Sequence, residues 1–165
     1  MRNFAGFSLA VLLVTGPVLS GCGFTPLYAR PDLNSDLSAI AVKPLEGRLG
    51  FLLQQAIQGQ LMAASGQIPR YELSLSLQER RKPRGLGQDN IASRYELTVI
   101  AEYVLTDTRS SAQRLKGSVR SQVSFEASNQ PYAGIIASDD AERRVAEDLA
   151  RQIQTALAVG LRSSP

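Results

Sequence analysis

The 165-residue chain predicts an α+β fold: a two-layer sandwich with two helices packed on one face of a four-stranded mixed sheet, in the order βαβββα. The first observation behind this is alternation. Tyr71, Leu73, Leu75 and Leu77 alternate with Glu72, Ser74, Ser76 and Gln78, and the same period returns in Tyr95, Leu97, Val99, Ala101, Tyr103, Leu105 and in Leu115, Gly117, Val119, Ser121, Val123, Phe125. A period of two marks strands that bury one face. The second observation is that two other segments step by three and four residues, as amphipathic helices do. The third is economy. A strand hides one face and a helix one stripe, so two layers satisfy both.

Taken in order, the chain begins with a leader. Arg2 supplies positive charge, Phe4 to Leu19 an apolar run, and Leu19, Ser20, Gly21, Cys22 a lipobox, in which small residues admit a peptidase and the thiol accepts lipid. A spanning helix needs about 20 apolar residues; this run is shorter and is broken by Gly16 and Pro17. Residues 1–21 therefore read as a lipoprotein signal peptide, with N-acyl and S-diacylglycerol groups on Cys22 and no other cofactor. Residue 23 is Gly and not Asp, so the inner-membrane retention signal is absent, which in a Gram-negative cell favours the periplasmic face of the outer membrane. Residues 22–36 form a tether, in which Phe24, Leu27 and Tyr28 are too apolar for a free spacer, and Ala29 to Asp36 reads as loop.

A single domain is expected over 37–161. Ile40 and Val42 lie on one parity of Ala39 to Leu45, closed by Pro44, which suits a short edge strand. From Gly47 a helix follows, with Leu49, Leu52, Leu53, Ala56, Ile57 and Leu61 on one side and Gln54, Gln55, Gln58 and Gln60 on the other. Three alternating strands in succession argue for an antiparallel meander. Gly117, on the inward parity, implies a close helix approach or a bulge. Ser128 to Ile136 reads as loop. Ser138 or Asp139 then caps a helix whose stripe is Ala141, Val145, Leu149, Ile153, Leu157. That pattern stops near Gly160, and residues 162–165 should fray.

Composition narrows the function. The chain has no histidine and one cysteine, which removes the commonest general base and the commonest metal ligand. No catalytic constellation and no metal site are expected, and Asp139 with Asp140 reads as helix-terminal charge. Cys22 to Pro165 carries 17 basic and 15 acidic residues, too balanced for nucleic acid.

The open face of the sheet is more informative. Arg114, Lys116 and Arg120 share the outward parity of the last strand, and Arg94 that of the strand before it. A row of this kind suits a solvated face or a protected edge, and equally the phosphate groups of an anionic amphiphile. A second basic cluster, Arg80, Arg81, Lys82 and Arg84, opens a long turn running to Asn90. It has neither the glycine spacing nor the lysine of a phosphate-binding loop.

With these residues in hand, the chain resembles the LptE lipopolysaccharide-assembly lipoproteins of the alphaproteobacterial type. The resemblance rests on Leu19 to Cys22, on Gly23, Phe24, Thr25, Pro26, Leu27, Tyr28, and on Asp140, Ala141, Glu142, Arg143, Arg144 leading into Leu149, Ala150, Ile153 and Leu157. It implies a non-enzymatic outer-membrane lipoprotein that plugs the LptD β-barrel, helps it assemble and binds lipopolysaccharide for delivery to the surface. Its partners would be LptD, lipopolysaccharide and, through the lipid anchor, the membrane. The alternative is an accessory lipoprotein of a periplasmic lipid or small-molecule transporter. The resemblance maps no lipopolysaccharide contact onto particular positions; Arg94, Arg114, Lys116 and Arg120 come from strand parity.

Overall fold

The alternating segments pair into one sheet. A computed structural model describes residues 31–61, 68–86, 92–126 and 130–163. In chain order these form α1 (Pro31–Ser38), β1 (Ile40–Val42), α2 (Gly47–Leu61), β2 (Tyr71–Leu86), β3 (Ala92–Asp107), β4 (Gln113–Glu126) and α3 (Pro131–Ser163). The sheet order is β1-β2-β3-β4, with β1 parallel to β2 and the other pairs antiparallel. The fold class is the one the sequence predicts, with a third, short helix added.

The helical layer and one sheet face share the core. Leu53 and Ile57 from α2 and Leu149, Ile153 and Leu157 from α3 are fully buried with Leu73, Leu97, Val99 and Leu105 from the strands. Each such side chain contributes about 1.5–3 kcal/mol relative to exposure, so the layers are held by packing. Two polar contacts set the helices in the same direction: Arg48 of α2 pairs with Asp139 and Glu142 of α3, and twelve residues on, Gln154 donates to the carbonyl of Gln60. Among the described residues no helix is long and apolar enough to cross a membrane.

Several boundaries differ from the sequence expectation, each for a physical reason. Residues Ala29 to Asp36 read as loop, yet Pro31 opens α1, where its fixed φ and missing N–H are tolerated. The far end of α1 buries Leu37, and Asp36 accepts from Arg70 at 3.0 Å. The domain boundary at 36/37 therefore falls inside a helix. Residues Arg80 to Arg84 read as part of a turn, but β2 continues to Leu86, in register with Ala92. Lys82 faces Glu96 across the ladder, an opposite-charge pair that supports strand pairing where apolar alternation has ended.

The last helix starts at Pro131, not at Ser138 or Asp139. Its first two turns leave Tyr132, Ile135 and Ile136 exposed, so no buried stripe reveals them in the sequence, and Asp139 bridges to α2 instead of capping. At the other end α3 passes Gly160 and runs through Ser163. A Cβ at Gly160 would stand 2.6 Å from the Leu115 methyl groups, so glycine there lets the helix lie against β4 and is not a stop. The gap at Gly117 is filled by neither a helix nor a bulge. Tyr103, directly across the ladder, lays its ring there, and a Cβ would meet the phenol oxygen at 2.5 Å.

Candidate functional site

The sheet face away from the helices is built from the even-numbered residues of β2, β3 and β4. Its rows follow from the register: Gln78, Ile100 and Arg120 lie side by side, then Arg80, Thr98 and Gln122, then Lys82, Glu96 and Ser124. Neighbouring strands lie about 4.8 Å apart and alternate residues of one strand about 7 Å apart. Side chains of 5–7 Å reach can thus meet over this surface. They surround a concavity of about 390 Å³ lined by Gln78, Glu79, Arg80, Lys82, Arg84, Glu96, Thr98, Ile100, Arg120 and Gln122.

Four of those residues are cations, and of the two glutamates Glu96 has the parity of this face while the Glu79 carboxylate turns to Arg81 on the other side, over a floor that includes Ile100 and Thr98. Arg84 donates to Glu96 at 3.0 Å, with the Glu96 side chain only 14% exposed. Arg120 donates to Gln122 at 3.1 Å. The strand carrying Arg120 is gripped from the helix side as well. Gln152 of α3 donates to the Arg120 carbonyl at 3.1 Å and to Asp148 at 2.8 Å. Ser121, buried on the helix side, gives its hydroxyl to Asp148, and this bond is the largest cause holding that carboxyl below its ordinary value, ahead of Gln152 and Arg151 and against burial.

The residues singled out from the sequence are redistributed. Arg120 joins Arg80, Lys82 and Arg84 in the concavity, so two clusters read separately form one surface. Arg81 leaves its cluster: odd parity puts it on the helix side, where it pairs with Glu142 at 3.3 Å and Glu79 at 3.4 Å and lies 5.6 Å from the centre of the Phe125 ring. Arg94 pairs with Glu126 at 3.5 Å and borders a separate hollow of about 460 Å³ with Asp140 and Arg144. Lys116 faces Val104, four residues from Arg120, or about 13 Å along the strand. Arg114 falls at an irregularity of the β3–β4 register beside Leu105 and Thr106 and has no Cα partner there. Cys22 lies outside the described residues. Glu96, Thr98 and Ile100 share the outward parity of Arg94 on β3. Gln152, Asp148 and Ser121 carry no sequence signal, because the contacts that tie the helix residues to β4 join positions 27 apart (Ser121 with Asp148) and 32 apart (Arg120 with Gln152) only in the packed chain.

Chemically, the surface offers guanidinium forks and an ammonium to phosphate oxygens, with the apolar side chain of Ile100 beside them. Among the described residues there is no group of three or more His, Cys, Asp or Glu able to hold a metal. The arrangement fits a ligand that carries phosphate and hydrocarbon together.

Comparison with known proteins agrees with a lipoprotein of lipid assembly. The family model for LptE, lipopolysaccharide-assembly, matches residues 36–157. A solved protein described as a lipoprotein, from Caulobacter crescentus, is 32% identical, with a TM-score of 0.71 over 81% of this chain and 98% of its own. The minor lipoprotein of Acinetobacter baumannii (15% identity, TM-score 0.55, 74% of this chain and 90% of its own) shares the fold. So does the rare lipoprotein B of Shewanella oneidensis (12% identity, TM-score 0.54, 74% and 94%). No curated protein sequence gives a significant match.

Proposed function

The chain belongs to the LptE lipopolysaccharide-assembly family, and from that premise we propose that it is an outer-membrane lipoprotein that plugs and helps assemble the LptD β-barrel and binds lipopolysaccharide during insertion at the surface. Cys22 carries the lipid in this reading, and the domain faces the periplasmic side and the barrel lumen. No catalytic step belongs to it. The observation that carries the binding role is the concavity in which Arg80, Lys82 and Arg84 of one strand converge with Arg120 of another over Ile100. Lipopolysaccharide is a phosphorylated amphiphile, and this surface offers both kinds of contact. An otherwise polar open face suits a water-filled lumen, and Ile100 and Val104, both half-buried, suit partial cover by ligand.

The position of the concavity fits delivery through a barrel. The chain enters the domain at α1 and β1, beside Tyr71. Arg80 is nine residues further along β2, about 30 Å at strand rise, which is the thickness of a bilayer's hydrocarbon core. An anchor at one end of the domain would therefore hold the site well away from its own membrane surface.

The test is a triple substitution in the full-length lipidated protein in non-ionic detergent. Replacing Arg80, Lys82 and Arg120 by Ala should weaken binding of purified lipopolysaccharide by about tenfold or more at low ionic strength and less at high salt. Replacing Arg114 and Lys116 should weaken it far less, since they lie outside the concavity. Unchanged binding by the triple variant would remove the concavity from the proposal.

A further inference from the structure

The concavity already contains an anion. Glu96 stands on the central strand β3, directly across from Lys82 on one side and Ser124 on the other. Its carboxylate accepts from Arg84 at 3.0 Å while its side chain is 14% exposed. Arg84, by contrast, is 56% exposed. The glutamate is thus the fixed member of the pair and the arginine the one free to swing. Resting on the reading of this surface as the lipopolysaccharide site, we infer that Glu96 is a resident counter-ion that competes with ligand phosphate for Arg84 and keeps the site's affinity low enough for the ligand to be passed on.

The physical argument is one of exchange. A phosphate arriving in the concavity meets Arg80, Lys82 and Arg120, of which Arg120 donates to the neutral amide of Gln122. To gain the fork of Arg84 as well, it must displace a carboxylate that is already hydrogen-bonded there and that does not itself leave. A guanidinium shared between a fixed carboxylate and a mobile phosphate gives each less than its full charge-assisted bond. The carboxylate also repels the phosphate directly, and does so more strongly for being half-buried, where water screens less. A storage protein would gain by lacking such a group. A carrier that must release its ligand gains by having it.

Glu96→Gln tests this, because the amide keeps the size and a hydrogen-bond acceptor while removing the charge. Full-length Glu96→Gln in detergent should bind purified lipopolysaccharide about fivefold tighter than wild type at low salt, with a faster approach to saturation per added ligand. Glu96→Thr, a strand-favouring replacement, should shift affinity in the same direction, so that the outcome does not hang on one variant folding. In an Arg84→Ala background the gain from Glu96→Gln should shrink, since the cation it releases is gone. Affinity equal to or weaker than wild type in both Glu96 variants, or a gain undiminished without Arg84, overturns the counter-ion role while leaving the binding surface intact. Failure of wild type and every variant to bind lipopolysaccharide overturns the role together with the reading it rests on.

Discussion

Ser121 is the buried polar side chain among the described residues, at 4% exposure, and its hydroxyl is committed to Asp148. Burying a hydroxyl without a partner costs about 1–3 kcal/mol, so this bond explains why a serine is tolerated on the inward parity of β4. It also ties the strand bearing Arg120 to α3 from behind. Asp148 is held below its ordinary value first by Ser121, then by Gln152 and Arg151. Asp107 is held low by the backbone N–H groups of Ser110 and Arg109 in the β3–β4 turn. A carboxyl depressed in the folded state stabilises the fold above its unfolded value near pH 4, and that contribution is lost as pH falls through the depressed value. Thermal unfolding followed between pH 7 and pH 2.5 should accordingly show a falling melting temperature on the acid side. Ser121→Ala should cost about 1 kcal/mol at neutral pH, and Asp148→Asn should flatten the acid decline. An acid limb in Asp148→Asn as steep as in wild type would sink the assignment.

Between elements, the fit of β4 against its neighbours depends on what two glycines leave out. At Gly117 the missing side chain is replaced by the Tyr103 ring, whose Cζ would lie 2.7 Å from an added Cβ. The ring is rigid and nearly buried, so it cannot move aside by rotating one end. Gly117→Val should therefore destabilise the fold by about 1–3 kcal/mol, in spite of valine's preference for strands. Tyr103→Leu in that background should recover part of the loss. Denaturant titration measures both, and a stabilised Gly117→Val would show that the ring packs elsewhere. The longest element, α3, illustrates a second rule. Its middle is tied down by Ala141, Val145, Leu149 and Ile153, and its first two turns project past that layer with Tyr132, Ile135 and Ile136 exposed. Helix propagation is cheap once nucleated, so a helix extends beyond the core that fixed it.

At the scale of the molecule, α1 and β1, where the described chain begins, and the concavity lie toward different ends of a sheet whose β2 strand has 16 residues. Cys22→Ser should leave the fold of the domain unaltered by circular dichroism, yet abolish outer-membrane recovery in fractionated envelopes and sharply lower recovery of a β-barrel partner; full retention of both would remove lipidation from the mechanism. The fold class is legible in the sequence, because alternation and helical stripes are local consequences of which residues must leave water. The sequence also located the short edge strand, the three long strands and the lower three-quarters of the last helix. It did not show α1, which at eight residues is too short to write a stripe, nor the continuation of β2 through Arg84 or the first turns of α3, where exposed residues have no periodic constraint. Parity alone placed Arg120, Glu96 and Ile100 on one face. Register decided the rest: pairing Arg80 with Thr98 and Thr98 with Gln122 brought two separate basic runs together, and the single-residue alternation of a strand sent Arg81 to the opposite side. A charge belongs to a residue, but a site belongs to the ladder that sets its neighbours, and only the folded sheet fixes that ladder.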